Sequence, residues 1–500
     1  MTSALRAPDD AFCTRYAQGD AQILTRTVID DLITPVAAML RLGPQSPNIF
    51  LMESVQGGDW RGRYSIIGLN PDARWRVRNG QAEKAGIDGK WTPVSAAPIE
   101  ALRQFIRASQ IELPTGLPPM AAGVFGYLGY DMVRHVEALP APNPDTLGLD
   151  DALLLRPTLV AIFDSVAQEI VLSTPVRPHP DQNAKEAYES AMQRLDTLQN
   201  RLGTPAQSSP IAQGNEHPPM AEPTSNTTPE HYRDMVERAR EYIKAGDIFQ
   251  MVPSQRFSAP LAEHPFALYR SLRRLNPSPF LYYLNFEDFS VVGSSPEILV
   301  RVRNRKVTIR PIAGTRPRGA NPAEDAALEA DLLADPKERA EHLMLLDLGR
   351  NDAGRACKAG TIQVTEQFGV EHYSHVMHIV SNVEGDLDDN KDAVDALFAG
   401  FPAGTVSGAP KIRAMEIINE LEVEKRGLYA GAIGYFSAGG DMDTCIALRT
   451  AVIKNGTMYV QAGGGVVLDS DPEAERMETV HKSRALFRAA AQAWRFEERA

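Results

Sequence analysis

The C-terminal half of the chain contains strand-like runs that are joined by very short turns. Asn304–Arg305 separates ILVRVR from KVTIRPI, and Asn455–Gly456 separates TAVIK from TMYVQAGG. Two-residue turns that contain Asn or Gly are typical of antiparallel hairpins. Helix-like segments are interspersed with these hairpins, at 323–350, 392–399, 409–422 and 472–495. The pattern favours an α+β fold with antiparallel sheets over a doubly wound parallel sheet.

A segment rich in Pro, Ser and Thr divides the chain. Residues 203–228 contain almost no large apolar side chains, which predicts a linker or a mobile loop. A helix is predicted directly after it, with Thr228 as its N-cap and Gly246 at its end. We therefore expect an N-terminal region at 20–175, with short strands and helices, and a second region at 229–495.

The composition narrows the class of function. The chain has 500 residues, of which 43% are hydrophobic, and a net charge of -12, which argues against a nucleic-acid partner. Three scattered cysteines indicate a reducing compartment without structural disulfides. No signal peptide and no apolar run of membrane-spanning length is visible, so we expect a cytoplasmic enzyme with no membrane association.

Four glutamates form two matched pairs in helix-like sequence. Glu338 and Glu341 are three residues apart, and so are Glu475 and Glu478. Residues at this spacing share one face of a helix. If the two helices converge, their carboxylates form an oxygen-rich site of the kind that Mg²⁺ occupies. A single such Glu is usually a solvated side chain, and only the two pairs together favour a metal site.

A glycine run lies just before the second pair. Gly463, Gly464 and Gly465 end a predicted strand, and their backbone N–H groups have no Cβ to keep an anion away. Such a run is also compatible with a simple bend or bulge. With the carboxylates and the nearby Lys482, it indicates a site for a small dianionic substrate.

Several long motifs are similar to those of the chorismate-utilising enzymes. The matching segments are PIAGTRPRG (311–319), EHLMLLDLGRND (341–352), YSHVMHIVS (373–381), GTVSGAPKIRAME (404–416), GAIGYF (431–436) and QAGGGVVLDSDPEAERMETVHKSRA (461–485). The resemblance as a whole extends over essentially all of 229–490, with these motifs in order. The resemblance implies the fold of that family, an α+β structure in which antiparallel sheets form a sandwich core flanked by helices.

The resemblance also assigns roles to individual residues. It makes Glu341 and Glu478 direct Mg²⁺ ligands, with Glu338 and Glu475 bound directly or through water, so that the metal would hold the ring carboxylate of chorismate. Glu297 matches the general acid that protonates the leaving hydroxyl. His378 would either orient the ring or take a proton in the second step. The implied substrate contacts are Gly314, Thr315, Thr405, Tyr429, Arg449, Gly463, Gly464, Gly465 and Lys482.

Two positions separate the branches of the family. Aminodeoxychorismate synthases carry a nucleophilic Lys where this chain has Ala313, and isochorismate and salicylate synthases use a Lys to activate water where it has Gln250. Without either lysine the nucleophile must arrive ready-made, which fits ammonia and the anthranilate-forming branch. Two alternatives stay open: an aminodeoxychorismate synthase that lacks the lysine, and a catalytically idle relative that senses tryptophan.

The resemblance further implies partners and regulation. The chain has no glutaminase motif, so ammonia would come from a separate glutamine amidotransferase subunit, in a heterotetramer of two large and two small subunits. LMES (51–54) and NPSPFLYYL (276–284) are similar to the elements that bind tryptophan as a feedback inhibitor. The residues that would form this regulatory site are Glu53, Ser54, Pro279, Phe280 and Leu281.

Overall fold

The computed structural model of the chain describes residues 7–54, 62–204, 220–373 and 376–497. Most of the predicted linker, residues 205–219, lies outside the described residues, as do Ser374 and His375 of the YSHVMHIVS motif. No helix in the described ranges is both long and apolar enough to cross a membrane.

The described residues form eleven α-helices. Many begin with a Pro preceded by a capping side chain, such as Thr34, Thr228, Asn321, Asp335 or Asp471. The helices are α1 Asp10–Ala17, α2 Pro35–Leu42, α3 Pro98–Arg107, α4 Ala184–Gly203, α5 Pro229–Ala245, α6 Pro265–Leu275, α7 Pro322–Ala334, α8 Pro336–Gly354, α9 Ala393–Gly400, α10 Lys411–Leu421 and α11 Pro472–Ala493. Short 3₁₀ helices span Pro119–Ala121, Tyr130–His135, Gly404–Val406 and Trp494–Phe496.

The strands come in hairpins, as the turn signals predict. In chain order they are β1 Gln22–Ile29, β2 Ile49–Glu53, β3 Tyr64–Arg78, β4 Gln81–Ala85, β5 Trp91–Pro93, β6 Gly123–Leu128, β7 Ala152–Asp164, β8 Glu169–Val176, β9 Thr224–Ser225, β10 Gln250–Met251, β11 Ser254–Pro260, β12 Phe280–Asn285, β13 Ser290–Ser295, β14 Ile298–Arg303, β15 Lys306–Ile309, β16 Ile312–Pro317, β17 Gln363–His372, β18 Val376–Asp386, β19 Gly408–Ala409, β20 Ala432–Ser437, β21 Met442–Ile446, β22 Thr450–Lys454 and β23 Thr457–Gly463. Asn304 and Arg305 both have positive φ, and so do Asn455 and Gly456, which confirms the two predicted turns.

The main sheet consists of two antiparallel ladders that share the long strands β3 and β7. One ladder runs β9–β11–β23–β22–β13–β12–β2–β3. The other runs β18–β15–β14–β21–β20–β6–β7, with β16 and β17 both paired to β18. Strands β3 and β7 pair over most of their length and join the ladders.

The core has three apolar layers. A cluster that includes Phe50, Phe125, Tyr282 and Tyr435 packs the two ladders against each other, with the Phe50 and Phe125 rings 4.8 Å apart. A second cluster buries helices α2, α4, α6 and α11 on the outside of the first ladder. A third buries α3, α8, α9 and α10 on the outside of the second. This arrangement confirms the predicted sandwich of antiparallel sheets flanked by helices.

The two predicted regions share this sheet. Strand β2 pairs with β12, and β6 pairs with β20, so each ladder contains strands from both halves of the chain. The segments GVFGYLGYDMV and GAIGYFSAGGDMDT, which share the pattern G-x-x-G-Tyr, are therefore neighbours, with Gly126 opposite Gly434. The boundaries 20–175 and 229–495 stay predictions.

Two local predictions need correction. The segment 323–350, expected as one helix, forms the two helices α7 and α8. They separate at Asp335, because its side chain accepts hydrogen bonds from the backbone N–H groups of Lys337 and Glu338 and so caps α8. At the predicted linker, α4 runs on to Gly203, and Thr224–Ser225 pairs with β11 as strand β9.

Candidate active site

The predicted catalytic, substrate and metal residues form one continuous set of neighbours. At one end Thr405 contacts Glu297, which faces Arg449. At the other end Lys482 contacts Gly463, whose backbone bonds Tyr429. In between lie His378, Gly314 and the two carboxylate pairs. The site lies where strands β13, β16, β18 and β23 meet helices α8 and α11.

Glu297 is a buried carboxyl between β13 and β14. Burial raises its pKa to about 8, and the Thr405 hydroxyl and the Ile312 backbone lower it by hydrogen bonding to the charged form. The Thr405 hydroxyl donates to Oε1 at 2.9 Å. A carboxyl with this pKa is protonated at neutral pH, so it can donate a proton to a leaving group.

The Arg449 guanidinium faces Glu297, and no other described side chain forms an ion pair with it. The guanidinium forms no hydrogen bond or ion pair with another described side chain, although it is close enough to Glu297 and Tyr373 to interact electrostatically. Burial lowers its pKa. The backbone adopts φ 48, which a residue with a Cβ rarely does and which costs about 1–3 kcal/mol. An unpaired arginine in a strained conformation is suited to bind a carboxylate by a two-pronged contact.

His378 is held in one tautomer by the bulge of strand β16. Its Nδ1 lies 3.0 Å from the Gly314 carbonyl oxygen and 3.0 Å from the Thr315 hydroxyl. Because a carbonyl oxygen only accepts, Nδ1 carries the proton and Nε2 keeps its lone pair. Burial lowers the pKa to about 4, so the ring is neutral at pH 7 and a weak base. These features favour the orienting role over the proton-accepting one.

The two helices with the carboxylate pairs converge as predicted. Burial raises the pKa of Glu341, and so do the neighbouring charges of Glu338 and Glu478. Glu338 is 3.2 Å from Arg316, and Glu478 is 2.7 Å from Lys482. Among the residues that the structure describes, no three His, Cys, Asp or Glu side chains are grouped to hold a metal ion.

The donor chemistry of this cluster nevertheless fits a hard divalent cation. Four carboxylates from two helices face one another, and burial together with the charge of Glu478 raises the pKa of Glu475. Oxygen Oε2 of Glu475 is buried and has no hydrogen-bond partner in the described part of the chain. A cation would supply that partner and offset the repulsion, while Glu338 and Glu478 would exchange their present basic partners for it.

The glycine run mainly leaves room for neighbouring side chains, and it offers few backbone N–H groups that lack a hydrogen-bond partner. The Gly464 N–H donates to the Pro253 carbonyl oxygen at 3.2 Å, and the Gly463 backbone bonds the Tyr429 hydroxyl. The expectation that all three N–H groups are available to an anion is therefore wrong for these two. A Cβ on Gly464 would lie 3.1 Å from Glu475 Oε2, and one on Gly465 only 2.5 Å from Gln250 Nε2. The run is glycine because carboxylates and Gln250 approach the backbone so closely.

The predicted regulatory residues lie elsewhere, around a cavity of about 1120 Å³. Glu53, Ser54, Pro279, Phe280 and Leu281 all line it, and none of the predicted catalytic or metal residues does. Ser54 Oγ is buried without a hydrogen-bond partner among the residues that the structure describes. The Glu53 carboxylate already accepts hydrogen bonds from Tyr269 and Arg273 of α6.

Sequence reasoning missed several residues of the active site. Tyr373 stacks edge-on against His378, with ring centroids 5.5 Å apart, and faces Arg449. Arg426 and Glu422 form a buried ion pair beneath the site. Their separation of four residues is the only local signal, and it does not distinguish a buried pair from a surface one.

Comparisons with known proteins identify the family of this chain. Residues 47–488 match the family model described as chorismate binding enzyme. The chain is 54% identical to anthranilate synthase component 1 of Cereibacter sphaeroides, covering 98% of this chain and 99% of that protein. It is 50% identical to the protein of that name from Pseudomonas aeruginosa, covering 94% and 95%.

Solved structures support the same family and fold. Anthranilate synthase component I from Streptococcus pneumoniae superposes with a TM-score of 0.75 at 38% identity, covering 92% of this chain and 99% of that one. The menaquinone-specific isochorismate synthase of Escherichia coli shares the fold, with a TM-score of 0.70 at 20% identity over 95% of each chain. This chain therefore belongs to the chorismate-binding enzymes.

Proposed function

We propose that this chain is the large subunit of an anthranilate synthase, which converts chorismate and ammonia into anthranilate and pyruvate at the start of tryptophan biosynthesis. The observation that carries the proposal is the site in which Glu297, protonated at neutral pH, faces the Arg449 guanidinium, which pairs with no other described side chain. Full-length similarity to proteins named anthranilate synthase component 1 supports the same branch.

The first step joins ammonia to the ring carbon next to the carboxylate-bearing carbon, as the ring hydroxyl leaves. Arg449 and Tyr429 bind the enolpyruvyl carboxylate, and Glu297 gives its proton to the leaving hydroxyl, which departs as water. The added ammonia loses a proton to solvent, and the product is an aminodeoxyisochorismate. The Thr405 hydroxyl keeps the Glu297 carboxyl aimed at the ring.

The second step removes pyruvate and makes the ring aromatic. The ring carbon that bears the amine loses its proton to solvent, and the electron pair forms the new ring double bond and expels the enolpyruvyl oxygen. The departing enolpyruvate takes up a proton and becomes pyruvate. His378 stays neutral and orients the ring through Nε2, because Nδ1 is committed to Gly314. Ala313 and Gln250 offer no amine that could compete with ammonia as the nucleophile.

The reaction as proposed uses Mg²⁺. Glu341 and Glu478 would hold the ion, with Glu338 and Glu475 beside them, and when bound it supplies Lewis-acid stabilisation of the ring carboxylate. Lys482 adds a positive charge at the same end of the substrate. The unpartnered Glu475 oxygen and the mutual repulsion of the carboxylates support this part of the proposal.

The ammonia source and the inhibitor complete the proposal. A glutamine amidotransferase subunit supplies ammonia in the cytoplasm, in a heterotetramer of two large and two small chains. Tryptophan occupies the cavity at Ser54 and inhibits the enzyme. The lining of that cavity by both tryptophan-site motifs supports the inhibitor, and the designation component 1 among the relatives supports the partner.

Product identification tests the proposal. The purified chain with chorismate, Mg²⁺ and an ammonium salt should yield anthranilate and pyruvate by mass spectrometry, and glutamine should not replace ammonium. Aminodeoxychorismate as the final product would indicate the other branch of the family. Undiminished chorismate would indicate an idle, tryptophan-sensing relative, and glutamine-dependent turnover by the isolated chain would contradict the separate partner.

A further inference from the structure

A buried ion pair beneath the active site connects its two ends. The side chains of Arg426 and Glu422 are only 1% and 5% exposed. The guanidinium donates to both carboxylate oxygens, with Nη2 at 2.6 Å from Oε1 and Nε at 2.9 Å from Oε2. Glu422 is fixed in turn by the backbone N–H and the hydroxyl of Ser254, at 2.8 and 2.7 Å.

The remaining donors of Arg426 reach two backbone segments that are far apart in sequence. Nη1 donates to the Val406 carbonyl oxygen at 2.6 Å, and Nη2 donates to the Val252 carbonyl oxygen at 2.6 Å. Val406 directly follows Thr405, the hydroxyl donor to Glu297. Val252 directly precedes Pro253, whose carbonyl oxygen accepts the Gly464 N–H.

The guanidinium also packs on the aromatic side of the site. Its central carbon lies 5.5 Å from the centre of the Tyr429 ring and 4.9 Å from that of Tyr130. One planar group thus touches the segment that orients the acid, the segment that supports the glycine run, and a substrate-binding tyrosine. Only arginine has five N–H donors in a rigid plane, so lysine cannot keep all these contacts at once.

We propose that the Arg426–Glu422 pair is a positioning unit, which keeps the Thr405–Glu297 acid and the Tyr429 carboxylate site in a fixed relation during catalysis. The proposal rests on the proposed function, since it concerns how the acid and the substrate carboxylate are aligned. Neither residue touches the substrate, and both act through Val406, Val252 and Tyr429.

The pH profile distinguishes this role from general support of the fold. Glu297 must be protonated to act, so activity falls as the pH rises through its pKa. Displacing Thr405 removes a hydrogen bond to the carboxylate and moves that fall to higher pH. The charged groups that face Glu297 are Arg449 and, across the small cavity beside it, Arg310 and Asp352. None of these three is changed in the variants below.

The test compares Arg426→Lys with wild type and with Thr405→Ala, using ammonium and chorismate. In Arg426→Lys we expect kcat/KM to fall about 10- to 100-fold, with contributions from both kcat and KM. The alkaline limb of the pH profile, where activity falls, should also move to higher pH. In the double variant Arg426→Lys/Thr405→Ala, activity should fall at the same alkaline pH as in Thr405→Ala alone. Asp150→Asn, which weakens the ion pairs of a buried carboxylate with the less buried Arg76 and Arg78, should leave the pH of that fall unchanged.

Glu422→Gln is the second variant, because it keeps the size and one acceptor and decides the question if Arg426→Lys does not fold. It should shift the limb in the same direction. An active wild type together with variants that keep its pH profile and its KM would overturn the positioning role. A wild type that makes no anthranilate would instead contradict the proposed function, so the two failures are distinct.

Discussion

The Glu297 side chain is uncharged at neutral pH because burial raises its pKa to about 8. The same residue type is an ion-pair partner at Glu53 and part of a carboxylate cluster at Glu341. Nothing in the immediate sequence of these glutamates separates the three environments. The difference comes from neighbours that lie more than 100 residues away, such as Thr405 for Glu297 and Arg273 for Glu53.

The first prediction concerns the proton donor. Glu297→Gln should lower kcat by about 10²–10⁴-fold, because the amide cannot give up a proton to the leaving hydroxyl. In wild type, activity should decline as the pH rises past about 8, when the carboxyl loses its proton. Steady-state rates of anthranilate formation between pH 6 and 10 would show both effects.

Thr405→Ala is the matched control for that experiment. It keeps the acid but removes a hydrogen bond that lowers the Glu297 pKa, so the decline should move to higher pH. A pH profile that is the same in wild type, Thr405→Ala and Glu297→Gln would mean that another group donates the proton.

At the scale of elements, the site depends on how two helices meet. Helix α8 begins at Pro336 because Asp335 caps it, and this start brings Glu338 and Glu341 into its first two turns. Helix α11 begins in the same way at Pro472, capped by Asp471, just before Glu475 and Glu478. Both caps are local and were open to prediction. The convergence of the two helices at Gly464 depends on the sheet between them.

The second prediction concerns the metal. Mg²⁺ should bind the purified chain in the presence of chorismate, as measured by isothermal titration calorimetry, and Glu478→Gln should weaken that binding at least about tenfold. Glu473→Gln is the control, since Glu473 is on the same helix but pairs with Arg476 on an exposed face. Equal Mg²⁺ affinity in the two variants would remove Glu478 from the ligand set.

Helices and strands were predictable where the turn or cap residues that define their ends lie close together in the chain. The hairpin turns at Asn304 and Asn455 and the caps at Thr228 and Gly246 are where the sequence predicts them. The break between α7 and α8 was missed although Asp335 and Pro336 form a local helix-start signal, because the segments on both sides of it have helical sequence. Strand β9 was missed because two polar residues form it only by pairing with β11.

At the scale of the whole molecule, two sites share one sandwich. The active site lies where the sheet meets α8 and α11, and the large cavity lies between the ladders, where strands from both halves of the chain line it. Helix α6 is a physical connection between them. It holds Glu53 at the cavity through Arg273 and packs against α11, which carries Glu475 and Glu478.

The third prediction concerns regulation. Ser54→Phe should abolish inhibition by tryptophan, because the phenyl ring would occupy part of the cavity, and kcat without tryptophan should stay near the wild-type value. Ser54→Ala removes only the hydroxyl and should cost about 0.5–1.5 kcal/mol of tryptophan binding. Calorimetry and inhibition curves would measure both. Unchanged inhibition in Ser54→Phe would place the inhibitor elsewhere.

The sequence by itself determined the family, the antiparallel character of the sheet and the candidate residues, because turns, caps and motifs depend on residues close together in the chain. The sequence also shows directly that positions 313 and 250 hold Ala and Gln, and not Lys. Only the tertiary structure decided which glutamate is a neutral acid, that Glu53 is already paired, and that Arg426 joins both ends of the site. These properties depend on burial and on contacts between distant segments, and the sheet that joins the two halves of the chain creates them.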